Sequence, residues 1–278
     1  MRTVKIVTDS SSDVLSLSCV DFAFAPLHII TATREFVDNA NLDVADMADF
    51  LARYKGRAHT SCPNPQDWLA AFSDADDIFC VTMTSAMSGT HNAACLAARL
   101  YESQNPGRRV FILDSLSTGP EMRLLIEKLE ELIASGREYE DICREIRAYK
   151  EKTSIVFMLK SMHNLANSGR VSPIVARIAG LVGIHVIGQA SEKGTLEPID
   201  KCRGETRALA SMLKTVEKSG FSRGKIYIAH SRNEEGALRM KNSILEKFPE
   251  ATVEVYPCRG LCSFFAEEGG MLIGYEKF

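Results

Sequence analysis

No apolar run in this chain approaches the ~18 residues that a membrane-spanning helix requires. No secretory leader opens it either, because Val4-Lys5-Ile6-Val7-Thr8-Asp9 already has the pattern of a strand. The expectation is a soluble, cytoplasmic protein. Excess positive charge is also missing. Against 33 Lys and Arg stand 36 Asp and Glu, a formal net charge of -3, which excludes the broad basic face of a general nucleic-acid binder. The eight cysteines are scattered, and Cys80, Cys95 and Cys143 fall inside apolar patterns. Cys258 and Cys262 lie close together, but no second pair or histidine cluster completes a zinc pattern. They read as reduced thiols rather than a disulfide framework, and neither a metal nor a cofactor is expected. Internal repeats, low-complexity tracts and long linkers are absent as well.

What is present is a globular composition, 45% hydrophobic and 25% charged over 278 residues, a length that suits two domains of ~100–200 residues each. In the first half, short apolar runs alternate with helical patterns. Residues 5–8, 22–30, 78–83 and 110–113 predict strands, the last two of the kind buried in a parallel sheet. Residues 44–54 predict a helix, with Met47, Phe50, Leu51 and Tyr54 at helical spacing behind Asp43 as its cap. Residues 93–100, 120–134 and 139–150 predict three more. Such alternation implies a doubly wound, mainly parallel sheet with ligands at the carboxyl ends of its strands. The second half has a different texture. Residues 154–159 predict a strand and 174–187 are apolar and punctuated by glycine. Residues 225–230, 234–248 and 252–256 form a β-α-β unit, and 271–275 a terminal strand. The expected fold is two α/β domains, a Rossmann-like one over 1–150 and a C-terminal one over 151–278, divided at the charged run Tyr149-Lys150-Glu151-Lys152.

The densest chemistry lies in Thr84-Ser85-Ala86-Met87-Ser88-Gly89-Thr90, between a predicted strand and an alanine-rich helix. A loop that opens a helix points backbone N–H groups at whatever it faces, and the helix dipole favours an anion there. Hydroxyls add donors without charge, which suits a carboxylate or phosphate that is held and later released. The alternative is an ordinary helix cap. Asp9-Ser10-Ser11-Ser12-Asp13 and Asp114-Ser115 end strands as aspartyl phosphotransferase motifs do, but Ser11 stands where those carry a second aspartate, so caps are expected at both. Thr60-Ser61-Cys62-Pro63 reads as a turn whose hydroxyls could converge on the Ser88 loop. Ser61 or Ser88 as a nucleophile would need a base. His59, His91, His163, His185 and His230 are available and no spacing selects one, so no catalytic residue is assigned. Basic residues gather in Ser168-Gly169-Arg170-Val171-Ser172 and in Lys201-Cys202-Arg203-Gly204-Glu205-Thr206-Arg207. There glycine lets backbone approach a ligand while a guanidinium forks onto phosphate or carboxylate. Solvated surface arginines are the alternative.

In this order the fragments resemble the DegV family of bacterial fatty-acid-binding proteins. Thr60-Ser61-Cys62-Pro63 is similar to the family's T-S-Q-P, Met87-Ser88-Gly89-Thr90 to its L-S-G-T, and Leu113-Asp114-Ser115 to its I-D-S. Ser168-Gly169-Arg170-Val171-Ser172 is similar to G-G-R-[IL]-S, Lys201-Cys202-Arg203-Gly204 to K-x-R-G, and the opening Val7-Thr8-Asp9-Ser10-Ser11 also matches. Each piece is short, but their joint order is specific and spans most of the chain. The resemblance implies two α/β domains with a lipid pocket between them and a noncovalently bound long-chain fatty acid. It also implies a carrier without enzyme activity, presenting the lipid to a partner kinase that makes acyl-phosphate for phospholipid synthesis.

Carried over residue by residue, Thr60, Ser61, Ser88, Gly89 and Thr90 would hold the carboxylate. Arg170, Arg203 and Arg207 would lie on, or support, the face that meets the kinase. The division of labour is physically sound. An acyl tail supplies affinity at ~0.8 kcal/mol per buried methylene, and hydroxyls satisfy a carboxyl that is otherwise costly to desolvate. Two departures stand out. The family usually ends in H-x-G-P-G, whose histidine helps hold the carboxylate. Here the region reads Phe264-Phe265-Ala266-Glu267-Glu268-Gly269-Gly270-Met271, where two acidic residues would repel a carboxylate unless they point away. Ile184-His185-Val186 stands where the family favours I-K-P. Two other readings stay open: a kinase for a dihydroxyacetone-like ketone, which holds its substrate through a histidine, and a lipid sensor that binds a regulatory partner.

Overall fold

Val4–Asp9 (β1) is buried along nearly its whole length, the pattern of a strand covered on both faces. In the computed structural model, which describes residues 2–171 and 183–277, it lies inside a parallel sheet. The order is β2 (Asp21–Ala25), β1, β6 (Asp77–Thr82) and β7 (Arg109–Asp114). One face is covered by α2 (Pro65–Phe72) and α3 (Thr90–Gln104), with Trp68, Phe72 and Tyr101 against Val7, Ile78 and Cys80. The other face is covered by α4 (Pro120–Ala134) and α5 (Tyr139–Lys150), which bring Met122, Leu125, Ile126 and Ile146 against Ile6, Phe79 and Val81. The cap expected before α1 (Val44–Arg53) is present: the Asp43 carboxylate accepts from Asp46 N.

The extended run expected over 22–30 does not form one strand. Pro26 breaks it, since proline has no N–H to give a ladder. After the break, β3 (His28–Ile30) joins a small antiparallel sheet with β4 (Glu35–Val37) and β5 (His59–Ser61).

The remaining strands follow residue 150 and form one mixed sheet. Its order is β10 (Leu196–Arg203), β9 (Ile184–Ala190), β8 (Thr153–Leu159), β13 (Met271–Glu276), β11 (Gly224–His230) and β12 (Ala251–Pro257). β11 and β12 are parallel and joined through α8 (Glu234–Lys247), as the β-α-β pattern anticipates. α6 (His163–Asn167) follows β8, and α7 (Glu205–Lys218) packs on the same core as α8. Of the apolar stretch 174–187, residues 174–182 lie outside the described residues, as does Ser172 of the glycine-arginine motif.

Two helices tie the sheets together. α4 lies so close to β13 that a Cβ on Gly274 would come within 2.4 Å of the Pro120 carbonyl carbon. Arg123 of α4 stacks on the rings of Tyr227 and Tyr256 and bonds Glu254 at 2.9 Å. In return α9 (Gly260–Ala266) leaves the second half and docks on the first, with Phe264 against Ile29, Phe36 and Met47. All eight cysteines are free. Among the described residues no helix is long and apolar enough to cross a membrane.

Candidate functional site

Between the parallel sheet and the mixed sheet lies a narrow, almost wholly apolar cavity that opens to solvent. Its floor is the face of β8 carrying Ile155, Phe157 and Leu159. α9 forms another wall with Leu261, Cys262, Phe265 and Ala266. The loops after β6 and β7 contribute Met83, Thr84, Met87 and Leu116 to Thr118, so the cavity sits at the carboxyl ends of parallel strands. The turn joining β9 and β10 closes it, with Thr84 Oγ1 donating to the Gly194 carbonyl at 2.8 Å.

The loop before α3 is organised around hydroxyls rather than a conventional cap. Gly89 occupies the cap position and no side chain caps the first turn. Ser88 Oγ and Thr90 Oγ1 share a hydrogen bond of 2.7 Å, and Ser88 Oγ accepts from Thr90 N at 3.3 Å. The Thr60 loop comes alongside: a Cβ on Gly89 would lie 3.4 Å from Cys62 Sγ. Thr60 and Ser61 end β5, where the Ser61 hydroxyl donates to the Cys62 carbonyl at 3.3 Å. These residues stand next to the cavity wall through Met87 and Cys62 rather than lining it. Neither Ser61 nor Ser88 bonds a histidine among the described residues; His91 Nδ1 is shared with Thr82 Oγ1 at 3.0 Å.

Arg170 does line the cavity. Its Nε donates to the Met87 carbonyl at 3.0 Å and its guanidinium lies 5.0 Å over the Phe265 ring. Burial lowers its pKa, and the Cys62 thiol opposes this. Among the described residues no carboxylate pairs with it. Arg203 and Arg207 are exposed, at the end of β10 and the start of α7.

Three buried carboxylates stand behind the walls. Asp9 accepts from Ser11 N at 3.0 Å, Ser11 Oγ at 2.5 Å and Met83 N at 2.7 Å, so it caps the turn Ser10–Ser12 as expected and also anchors the cavity residue Met83. Burial nevertheless pushes it up to about 6. Asp38 accepts from Gly260 N at 3.0 Å and Leu261 N at 2.9 Å, holding the start of α9. Asp13 accepts from Arg259 N at 3.0 Å; burial first, then the Asp38 charge, push it up to about 8.

Asp114 departs from expectation. It does not cap a helix: its carboxylate accepts from Ser85 N at 3.2 Å and Leu116 N at 3.0 Å, because five loop residues separate it from α4. Glu267 and Glu268 turn away from the cavity into a separate groove, where Glu267 accepts from Asn164 N at 2.9 Å. His185 is buried on β9 opposite Cys202, with its pKa lowered by burial. The cavity residues Met87, Leu116 and Phe265 were not singled out from sequence. For Met87 and Leu116 the one local signal is an apolar side chain where a loop would favour a polar one, and for Phe265, inside α9, there is none. Among the described residues no three His, Cys, Asp or Glu groups converge as a metal site.

The DegV family model, described as "Uncharacterised protein, DegV family", matches residues 3–277. A DegV domain-containing protein of Streptococcus pneumoniae is 40% identical over 278 residues, covering 99% of each chain. A DegV family protein from Eubacterium eligens, solved loaded with heptadecanoic acid, has 42% identity and a TM-score of 0.97 over 99% of this chain and 100% of its own. The Fatty Acid Kinase (Fak) B3 protein of Streptococcus pneumoniae, solved loaded with linoleic acid, has 39% identity and a TM-score of 0.97 over the same shares.

Proposed function

Because the chain belongs to the DegV family, we propose that it binds a long-chain fatty acid noncovalently and presents its carboxylate to a fatty-acid kinase for acyl-phosphate formation. In this reading it is a cytoplasmic carrier that uses no cofactor and performs no chemistry of its own. The observation that carries the reading is an apolar cavity with one desolvated guanidinium, Arg170, that lacks a carboxylate partner among the described residues. Arg170 is half-buried and held by one carbonyl and one ring, so an incoming carboxylate adds a charge-assisted partner while its tail fills the cavity. The two neighbours solved with heptadecanoic and linoleic acid support the same ligand class.

The head group belongs at the hydroxyl loops, where Thr60, Ser61, Ser88 and Thr90 offer donors and Gly89 leaves backbone open. Arg170 adds charge beside them through Met87. The exposed Arg203 and Arg207 then suit an acidic partner surface, since guanidinium groups recognise carboxylate and phosphate through paired donors. The two halves, 1–150 and 151–278, act as two domains closing on the lipid.

The test is lipid extracted from natively purified protein and analysed by mass spectrometry. A long-chain fatty acid is expected in near-stoichiometric amount, with no covalent adduct on the intact chain. No fatty acid across preparations, together with no saturable binding on titration, overturns the reading. An adduct on a histidine after incubation with dihydroxyacetone favours the ketone-kinase alternative.

A further inference from the structure

The cavity and a polar cleft on the molecular surface share two lining residues, Leu116 and Ala190. Strand register shows which end of the cavity they close. Leu159 of β8 pairs with Val186, and Val156 pairs with Gln189, so Ala190 is level with Ile155. Leu159 clusters with Leu165, whose carbonyl accepts from Arg170 N at 2.9 Å. The cavity therefore runs from the guanidinium end along β8 for four residue steps, roughly 13 Å at ~3.3 Å per residue, to Ile155 and Ala190. Beyond that level lies the cleft, bordered by Lys150, Thr153 and Lys277.

Leu116 is held firmly at this partition. Its N–H donates to Asp114 Oδ1 at 3.0 Å. Gly194 presses on its backbone so closely that a Cβ there would lie 3.1 Å from Leu116 Cα. Leu116 has φ +52, a left-handed conformation that strains a leucine and that glycine adopts freely. On backbone grounds the position suits glycine, so what leucine contributes is its side chain. That side chain is half-buried, with the cavity on one side and the cleft on the other.

We infer that Leu116, backed by Ala190, is the stop at the tail end of the acyl cavity and sets the longest chain the protein accepts. This rests on the fatty-acid reading above. The Leu116 side chain ends the apolar wall, and without it a tail extends toward the cleft. Bulk added at Ala190 shortens the cavity from β9.

The test compares affinities for free fatty acids of 14, 16, 18 and 20 carbons in the unmodified protein, in Leu116→Gly and in Ala190→Leu. Leu116→Gly suits the local backbone and keeps the fold, which a thermal melt verifies. It is expected to raise affinity for the 20-carbon acid relative to the 16-carbon acid by roughly 16-fold, since each methylene that finds apolar room is worth about fourfold and the space of the lost side chain admits about two of the four. Ala190→Leu is expected to move the optimum toward shorter chains by a similar factor. If both variants bind fatty acid with the length profile of the unmodified protein, the stop lies elsewhere and the inference is overturned. If the unmodified protein binds none of the four acids, the fatty-acid reading itself fails and the inference falls with it.

Discussion

Ser88 and Thr60 carry the head-group reading at the level of single atoms. A hydrogen bond to a charged group is worth roughly 1.5–3 kcal/mol, so Ser88→Ala and Thr60→Ala are each expected to weaken fatty-acid binding by about ten- to a hundredfold. Titration at constant folded fraction checks this, and unchanged affinity in both variants moves the carboxylate elsewhere. The buried carboxylates make a separate prediction about pH. Asp13 is pushed up to about 8 in the folded protein, against roughly 3.9 unfolded. Between those values the native state holds more protons than the unfolded state, so stability is greatest at low pH and falls as pH rises through the window. Asp9, pushed up to about 6, acts in the same direction. Asp13→Asn keeps an acceptor for Arg259 N–H while removing the charge. It is expected to raise Tm near pH 8 and to flatten the decline between about pH 6 and 8. Thermal melts across that range decide it, and parallel curves for the two proteins reject it.

At the scale of elements, α9 does more than its length suggests. Seven residues are too few for an independently stable helix, yet this helix gives the cavity Leu261, Cys262, Phe265 and Ala266 and gives the small sheet Phe264. Its start is held by Asp38, whose approach to Gly260 is so close that a Cβ there would lie 2.5 Å from the carboxylate. Asp38→Ala leaves the N–H groups of Gly260 and Leu261 buried without acceptors, a loss expected to cost roughly 2–4 kcal/mol. Denaturant unfolding measures it. A midpoint within error of the unmodified protein means that the two halves are joined mainly by apolar contact. Elements also show where local pattern misleads. The run 22–30 is apolar apart from His28, but Pro26 divides it between two sheets, and no periodicity within the run shows that its ends have different partners.

At the scale of the whole molecule, the proposed lipid site and the proposed partner face are separate. Arg203 and Arg207 are exposed near the start of α7, whereas the cavity lies between the loops after β6 and β7 and the mixed sheet. Arg203→Ala is therefore expected to reduce acyl-phosphate formation with a kinase partner more than it reduces fatty-acid affinity. Added salt should narrow the difference, because exposed charge pairs are screened beyond ~10 Å at 0.1 M. Parallel assays of lipid binding and coupled turnover test this; equal losses place the arginine at the lipid, and no loss makes it an ordinary surface residue.

Much of the fold was legible in the chain because its causes are local. Pro120 at the first helical position and the apolar spacing that follows mark α4 at both ends, and the buried apolar runs at 78–83 and 110–113 mark parallel strands. The hydroxyl loop at Ser88 was legible for the same reason, since its chemistry sits in seven consecutive residues. The pocket was not. Asp38 meets Gly260 across 222 residues of sequence, Arg170 reaches Met87 across 83, and Leu116 and Ala190, from the loop after β7 and from β9, line the same cavity. Composition and motif order determined two α/β halves and a hydroxyl-rich loop before α3. Only tertiary packing decided that Arg170 lines the cavity, that Glu267 and Glu268 turn away from it, and that Leu116 stands at its end. Side chains far apart in the chain acquire neighbours only when strand register and helix docking bring them together.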